Sequence, residues 1–238
     1  MPGHSRFVSR LCSHTFVSGF LNRQSVVVDL GLNQGEFARG IHEKFGCSVY
    51  GAEPVPELYE ALRGQKGLVA ENCAIAAVAG SRTLHLAPGR CASFTSSAET
   101  ERGGTVEVRT VPLADLLARH HVTRVDLLKV DIEGAELEMF AHLPESVLAQ
   151  IRQITVEFHD FMYPETASEV QKTISALRAA GFHCVRFSKD NIDLLFLNSR
   201  QNGFSSLTCL ALNYWFRPLL AATRKIRRLL GNGNPDHF

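Results

Sequence analysis

Two short runs of ionisable residues have the types and spacing that acid–base chemistry needs. Lys129, Asp131 and Glu133 alternate after a hydrophobic segment, so an extended chain places them on one side. Glu157 and His159 alternate in the same way after a second hydrophobic segment. Such groups are costly in a core but suit the open crevice at the carboxyl ends of parallel strands. The candidate general bases are therefore, in order, His159, Asp131 and Glu157.

The residues of the first run have different expected roles. Lys129 is expected to pair with Glu133 or Glu136 and so to fix the start of the following helix. Asp131, at the predicted strand tip, is expected to face the first glycine loop and to act on a ligand. A divalent ion held by the three candidate bases is an alternative to a general base, because the ion would lower the pKa of a hydroxyl group on the bound substrate. No metal is included in the expected site, because mixed oxygen and nitrogen ligands without known geometry do not define one.

A glycine loop near the start of the chain has the pattern of a ligand-binding turn. The β-branched run 26–28 predicts a buried strand that Asp29 ends, and Gly31 and Gly35 bracket a turn before a helical pattern. A dinucleotide fingerprint has a glycine where this loop has Asn33. The amide would crowd a pyrophosphate, whereas it could hydrogen-bond an amino-acid tail. S-adenosylmethionine has such a tail, although any α/β turn that needs two glycines would also fit the loop.

The next two predicted strands add candidates for a nucleoside. Segment 48–53 ends in Glu53, about twenty positions after the first glycine, where a carboxylate would accept both ribose hydroxyls. Segment 68–75 contains Asn72 and Cys73, which in this topology would lie beside the adenine. Cys73 fits equally well as a small buried hydrophobic residue.

The order of the predicted elements indicates an α/β domain with an unusual end. A helix over 167–180 stops at Gly181, and strands over 182–187 and 193–197 follow with only five residues between them, 188–192. So short a turn joins antiparallel strands. An antiparallel hairpin that closes a parallel sheet is a feature of methyltransferase domains and is absent from dehydrogenase domains.

The composition limits the class of protein. The chain has 238 residues, a formal charge of +1 and six cysteines with no Cys-x-x-Cys spacing. The near-neutral charge gives no reason to expect nucleic acid as a partner. The scattered cysteines speak against a zinc site or a disulfide framework and favour a cytoplasmic protein. We expect one α/β domain over 25–198, with extensions over 1–24 and 199–238.

Both extensions allow two interpretations. Residues 1–24 lack acidic side chains and contain Phe7, Leu11, Phe16 and Phe20, so we expect a leading helix that packs on the domain, with a targeting peptide as the alternative. At the other end a basic amphipathic helix over 219–230 either docks on the sheet or, together with the aromatic residues before it, makes peripheral membrane contact through 213–230.

With these motifs in order, the chain resembles the FkbM family of S-adenosylmethionine-dependent methyltransferases from about residue 26 to 197. Four motifs carry the resemblance: Val-Asp29-Leu-Gly31-Leu-Asn33-Gln-Gly35, Ala-Glu53-Pro54, Asn72-Cys-Ala74-Ile and Leu-Lys129-Val-Asp131-Ile-Glu133-Gly134-Ala-Glu136. The family implies a Rossmann-like class I fold, with a seven-stranded, mostly parallel sheet, an antiparallel last strand and helices on both faces. It also implies methyl transfer to a hydroxyl of a sugar, glycolipid or polyketide-type small molecule.

The resemblance also implies roles by position. The residues expected to bind the cofactor are Asp29, Gly31, Leu32, Asn33, Gly35, Glu53, Pro54, Asn72, Cys73 and Asp131. The glycine loop would hold the methionine portion, Glu53 the ribose, and Asn72 and Cys73 the adenine. Asp131 would face the sulfonium or the acceptor. Leu32 stands where the family usually has a small residue.

Two other functions remain open at this point. A nicotinamide-dependent oxidoreductase is disfavoured by the missing middle glycine and by the closing hairpin. A non-catalytic protein that binds the cofactor in the same fold is the other alternative, and Leu32 is the sequence feature that hints at it.

Overall fold

The computed structural model describes residues 7–86, 92–93, 104–188 and 190–202. The strands are β1 (Ser9–Leu11), β2 (His14–Phe16), β3 (Val26–Leu30), β4 (Ser48–Ala52), β5 (Leu68–Glu71), β6 (Ala74–Ile75), β7 (Gly80–Leu86), β8 (Ala92–Ser93), β9 (Thr105–Val111), β10 (Leu127–Val130), β11 (Gln153–Val156), β12 (Phe182–Arg186) and β13 (Leu194–Asn198). The α-helices are α1 (Glu36–Phe45), α2 (Pro56–Leu62), α3 (Leu113–Arg119), α4 (Glu136–Ala141), α5 (Glu145–Leu148), α6 (Ala167–Ala179) and α7 (Ser199–Asn202).

The main sheet has seven strands in the spatial order β12-β13-β11-β10-β3-β4-β5. Strands β5, β4, β3, β10 and β11 pair in parallel, whereas β13 is antiparallel to both of its neighbours. The predicted mostly parallel sheet with an antiparallel last strand is therefore confirmed. The strand order reverses between β3 and β10, and in such sheets a ligand crevice opens at the carboxyl ends of the two strands beside the reversal.

Helices cover both faces of this sheet. Val28 and Leu128 belong to a core on one face together with residues of α3, α4 and α6. Val27 and Leu127 belong to a second core on the other face, which includes α1. All four side chains have no exposed surface. Burial on both faces explains why these strands are continuous hydrophobic runs.

The N-terminal segment differs from the expected helix. Within the described part of this extension, β1 and β2 form an antiparallel hairpin, and a 3-10 turn follows at Ser18–Phe20. Phe16 is buried between the rings of Phe37 and Phe45. Tertiary contacts decide the structure here, because β2 packs against β11 and β13 of the main sheet.

The strands that follow β5 in the chain, β6 to β9, form a second and smaller sheet. The single strand expected over 68–75 breaks at Asn72 and Cys73, and β6 then joins a four-stranded sheet of order β6-β9-β7-β8. The C-terminal extension is described only as far as α7, so the predicted basic helix and the 213–230 segment lie outside the described residues. No helix in the described ranges is both long and apolar enough to cross a membrane.

Candidate active site

The glycine loop between β3 and α1 brings the ends of two strands into contact. Gly31 has a φ of +82°, and a Cβ there would lie 1.8 Å from the backbone oxygen of Asp131, just after β10. Glycine is required, because any side chain would collide with backbone. The amide nitrogens of Gly31 and Leu32 both donate to the carbonyl oxygen of Ala52, at 3.1 Å each. The loop is therefore held between β4 and β10.

Leu32 is accommodated by a glycine on the neighbouring strand. Its side chain is buried and belongs to the core on the α1 face. A Cβ on Gly51 of β4 would lie 2.7 Å from Leu32 Cγ, so the absence of that Cβ makes room for the larger residue. Gly35, with a φ of +75°, then closes the turn by donating its N–H to the Leu32 carbonyl at 2.7 Å.

Glu53, the expected ribose ligand, lies at the carboxyl end of β4 and is buried. Its Oε2 accepts the backbone N–H of Asn33 at 2.7 Å, and its Oε1 accepts that of Val55 at 2.9 Å. Burial raises the pKa of Glu53 to about 7, although these two hydrogen bonds oppose the rise. The Glu53 carboxylate thus links the glycine loop to the segment that follows β4.

The two residues expected beside the adenine have different surroundings. Cys73 lines the cleft, and burial raises the pKa of its thiol to about 11, so the thiol stays neutral. Asn72 instead donates its side-chain N–H groups to the carbonyl oxygens of Glu53 and Pro54, at 2.9 and 3.0 Å. Asn72 therefore fixes the backbone around Glu53.

Two cavities meet beside Asp131. The first is a cleft with an empty volume of about 610 Å³, which Glu53 and Cys73 help to line. The second has an empty volume of about 520 Å³, and Phe37 and Lys129 are part of its wall. Three residues line both cavities: Gly31, Asn33 and Asp131.

Lys129 has different partners from those expected. Its ammonium lies 2.7 Å from the Gly31 carbonyl oxygen, 3.1 Å from Asp29 Oδ1 and 3.4 Å from Asp131 Oδ2. The expected pairing with Glu133 or Glu136 is wrong, because the Lys129 side chain turns back along the sheet toward β3. Burial lowers the pKa of Lys129, but the two aspartates outweigh this effect and raise it above its usual range. Asp29 is fully buried, and burial raises its pKa although Lys129 opposes the rise.

His159 lies within a group of carboxylates. Its Nδ1 is 3.0 Å from Glu136 Oε1, and its Nε2 is 3.2 Å from Glu133 Oε2 and 3.7 Å from Asp131 Oδ1. Burial lowers the pKa of His159, but the three carboxylates outweigh it and raise the pKa to about 9. At neutral pH the imidazole therefore carries a proton on each ring nitrogen and has a positive charge.

Glu136 also shapes the loop that follows β10. Its carboxylate accepts backbone N–H groups of Ile132 and Gly134, at 3.0 to 3.2 Å. Glu133 has a φ of +53° at this bend, and its backbone oxygen accepts a hydrogen bond from Ser93 at 2.8 Å. The loop is thus fixed by Glu136 at its end and by Ser93 of β8, and it presents Asp131 and Glu133 to the first cavity.

Glu157 completes the set of candidate bases. It is half-buried, and burial, with the nearby charge of Asp131, raises its pKa to about 7. Among the described residues, two groups have ligand atoms that all lie within 4.8 Å of one another and could hold a metal ion: His14, Asp131 and Glu157, and Asp131, Glu133 and His159. The carboxyl ends of β10 and β11 thus bring together all three residues predicted from the alternating runs.

His14 of the N-terminal hairpin is the site residue that the sequence analysis missed. Its Nε2 lies 3.4 Å from Asp131 Oδ2, and its side chain is 1% exposed. The burial of Asp131 raises its pKa, but Lys129, His14 and His159 outweigh this effect and lower it below its usual range. No motif in the sequence around His14 pointed to this contact, because it depends on the packing of the hairpin against the sheet.

The comparisons with known proteins identify a family to which the chain is similar. The profile described as "Methyltransferase FkbM domain" matches residues 29–184, more than half of the chain. The chain is 26% identical over 196 residues to 31-O-demethyl-FK506 methyltransferase FkbM of Streptomyces tacrolimicus, a match that covers 67% of this chain and 73% of that protein. It is 26% identical over 181 residues to methyltransferase sdnD of Sordaria araneosa, covering 60% of this chain and 70% of the relative.

Solved structures similar to this one include other methyltransferases. The magnesium protoporphyrin IX methyltransferase of Synechocystis with bound S-adenosylhomocysteine matches with 10% identity and a TM-score of 0.40, over 75% of this chain and 74% of that one. The precorrin-6y C5,15-methyltransferase of Geobacter metallireducens matches with 10% identity and a TM-score of 0.39, over 69% of each chain. On the strength of the family profile and of the sheet described above, this chain belongs to the FkbM methyltransferase family and is an S-adenosylmethionine-dependent methyltransferase.

Proposed function

We propose that this methyltransferase acts on a hydroxyl oxygen of a small molecule of the sugar, glycolipid or polyketide type. The observation that carries the proposal is the meeting of two cavities at Asp131, next to a cluster of acid–base groups. S-adenosylmethionine supplies a methyl group on a sulfonium, which becomes a neutral thioether on transfer. The residues of the site must therefore bind a ligand with two halves and deprotonate an acceptor.

The first cavity suits the adenosine half of the cofactor. Glu53 is buried at the end of β4, where its carboxylate can accept the two ribose hydroxyls. Cys73 offers a neutral, apolar surface to the adenine. Asn72 would act through Glu53, since it holds the backbone of Glu53 and Pro54.

The second cavity suits the methionine half. Lys129 offers a positive charge to the ligand carboxylate, and Asn33 offers its amide at the point where the two cavities join. Asp29 would act through Lys129, because it is fully buried against the ammonium. Gly31 and Gly35 would act by shaping the loop. With the halves so arranged, the sulfonium would lie where the cavities meet, near the carboxylate of Asp131.

Glu157 is the group that we assign as the general base. Both ring nitrogens of His159 and both oxygens of Asp131 are engaged in ion pairs. The Glu157 carboxylate, by contrast, makes no hydrogen bond or ion pair with any residue that the structure describes. A carboxylate with a pKa near neutral is also suited to accept a proton at neutral pH. Most of the rate would come from aligning the acceptor oxygen, methyl carbon and sulfur.

A relative supports oxygen as the methylated atom. The name of the Streptomyces tacrolimicus protein, 31-O-demethyl-FK506 methyltransferase, describes methylation of an oxygen of FK506. The chain and that relative align over most of both sequences. A metal ion is not part of the proposal, and dialysis against a chelator is expected to leave methyl transfer unchanged.

The test of the cofactor assignment is thermal unfolding with and without S-adenosylmethionine, S-adenosylhomocysteine or NAD. At a hundred times its dissociation constant a ligand adds about 2.7 kcal/mol of stability, so the two adenosyl ligands should raise the melting temperature clearly. NAD should not. Glu53→Gln keeps the shape of the side chain and should weaken the shift. Stabilisation by NAD alone would overturn the proposal.

The pH dependence of this shift tests the role of Glu53 separately. The pKa of Glu53 is about 7, so the fraction of ionised carboxylate that can accept two hydroxyls grows as the pH rises from about 6 to about 8. The shift produced by S-adenosylmethionine should therefore grow over the same range and stay flat in Glu53→Gln. At each pH the melting temperature is measured with and without ligand, and the difference between the two does not contain the pH dependence of the protein's own stability. A flat profile in the wild type would contradict the assignment.

A further inference from the structure

The tip of the N-terminal hairpin forms part of the active-site wall. Cys12 lines the second cavity, and His14 reaches Asp131 at the point where both cavities meet. These residues precede the segment 29–184 that the family profile matches. The hairpin is thus a part of this chain's site that family membership alone does not account for.

The surroundings of His14 fix the direction of its ring. Its Nδ1 lies 3.4 Å from the hydroxyl oxygen of Thr155, and its Nε2 lies 3.4 Å from Asp131 Oδ2. The ring of Phe37 packs edge-to-face against the imidazole, with centroids 5.8 Å apart. When the Thr155 hydroxyl donates to Nδ1, the neutral ring carries its proton on Nε2 and can donate it to Asp131. Both polar atoms of a fully buried ring are then satisfied.

The hairpin itself is attached firmly to the sheet. The Asp193 carboxylate accepts the backbone N–H of Thr15 at 2.9 Å and its hydroxyl at 2.7 Å. The side-chain amide of Gln153 exchanges two hydrogen bonds with the backbone of Val17, at 2.8 and 3.2 Å. Asp193 directly precedes β13, Gln153 begins β11, and both side chains are buried. The position of His14 is therefore determined by the sheet.

The turn at the tip is strained. Cys12 and Ser13 have φ values of +44° and +67°, in the left-handed region that glycine and asparagine favour. Such conformations persist where the surrounding structure imposes them, and they are common at ligand sites. Here the strained turn places Cys12 on the cavity wall and His14 against Asp131.

The carboxylate of Asp131 is oriented from both of its oxygens. Oδ2 lies 3.4 Å from His14 Nε2 and 3.4 Å from the Lys129 ammonium, and Oδ1 lies 3.7 Å from His159 Nε2. His14 is the partner of Oδ2 that comes from outside the two strand ends. Without it, the carboxylate could rotate toward Lys129 and away from the junction of the cavities.

We propose that His14 is a positioning residue, which holds the Asp131 carboxylate toward the sulfonium of S-adenosylmethionine. The inference rests on the proposed placement of the cofactor. It predicts that His14 influences the preference for the charged S-adenosylmethionine over the uncharged thioether of S-adenosylhomocysteine, because an oriented carboxylate stabilises a positive charge nearby. A merely structural residue would affect the two ligands equally.

The test is isothermal titration calorimetry of both ligands against four variants at one pH. His14→Leu and His14→Asn should each lower the affinity ratio of S-adenosylmethionine to S-adenosylhomocysteine by about fivefold. Asn is too short to reach Asp131, whereas His14→Gln can still donate to Oδ2 and should restore the ratio to within about twofold. Val17→Ala removes buried volume from the same segment without touching Asp131, so it should lower stability and leave the ratio unchanged.

Each outcome decides the inference. A wild-type ratio in His14→Asn overturns it, and Asn remains informative if the leucine variant does not fold. An equal fall in the ratio for Val17→Ala and His14→Asn also overturns it, because general loosening would then explain the effect. If the wild type binds neither ligand, the proposed cofactor placement fails; binding with an unchanged ratio removes the inference about His14 alone.

Discussion

At the scale of single residues, the site depends on close approach of backbone and on buried charge. Gly31 allows the loop after β3 to touch the backbone after β10, and Lys129 joins the two strand ends by binding Asp29, Asp131 and the Gly31 carbonyl. The buried ammonium needs all of these partners, because an unpaired charge in the core would be far more costly. Gly31 and Lys129, from distant parts of the chain, thus fix the junction where the two cavities meet.

Gly31→Ala tests the close approach. Its Cβ would overlap the Asp131 backbone oxygen, so the variant should lose about 2 kcal/mol or more of unfolding free energy and bind S-adenosylmethionine at least about tenfold more weakly. Gly64→Ala is the matched control, because Gly64 has a similar φ of +77° but no atom lies within 4 Å of the position that a Cβ would take. It should lose about 1 kcal/mol by strain alone and keep its affinity. Equal effects of the two substitutions would contradict the steric explanation.

Glu157→Gln tests the assignment of the base. The amide cannot accept the acceptor's proton, so kcat should fall by about a hundredfold while the dissociation constant for S-adenosylmethionine stays near the wild-type value. In the wild type kcat should rise with pH through about 7, as the Glu157 carboxyl loses its proton, and this rise should be missing in the variant. The pH profile of kcat, measured for the wild type and the variant, gives both the fall in kcat and the rise of kcat with pH. An unchanged rise in Glu157→Gln would remove Glu157 as the base.

At the scale of elements, the β1–β2 hairpin takes the place of the helix that the sequence predicted for the N-terminal extension. Residues 9–16 cover the sheet beside α1. Asp193, in the turn before β13, accepts the backbone N–H of Thr15, and Gln153 of β11 bonds the backbone of Val17, directly after the hairpin. Asp193 carries much of this attachment, since it accepts two hydrogen bonds from Thr15 and forms an ion pair with Arg10. The hairpin and the antiparallel end of the sheet therefore form one structural unit.

Asp193→Ala tests this attachment. It leaves the buried N–H and hydroxyl of Thr15 without their acceptor, so denaturant unfolding should show a loss of about 3 kcal/mol. Asp190→Ala, in the same turn but exposed, should change stability by less than about 0.5 kcal/mol. A small loss for Asp193→Ala would mean that the hairpin is held mainly by its hydrophobic side chains.

The sequence predicted those elements whose pattern is local. Hydrophobic runs located the strands of the main sheet, and the short 188–192 segment predicted the antiparallel last strand. The alternating ionisable residues located the cluster of Asp131, Glu157 and His159. The hairpin, the contact of His14 and the partners of Lys129 were not predicted, because each depends on which distant strand the side chain meets after folding.

At the scale of the whole molecule, the strand order accounts for the position of the site. The reversal between β3 and β10 opens a crevice where the glycine loop, Glu53 and the cluster after β10 and β11 converge. The strand that closes the sheet, β13, runs antiparallel, and the turn before it anchors the hairpin that carries His14. The parts outside the family match thus complete a site that the family fold begins.

Methyl transfer itself is the reaction that tests the proposed function of the whole molecule. The protein is incubated with S-adenosylmethionine carrying a labelled methyl group and a panel of hydroxylated sugars, glycolipids and polyketide-type molecules, and the products are located by mass spectrometry and NMR. We expect label on an acceptor oxygen, an equal amount of S-adenosylhomocysteine, and strong loss of both in Glu157→Gln. Label on nitrogen or carbon, or tight cofactor binding without transfer to any member of the panel, would contradict the proposal.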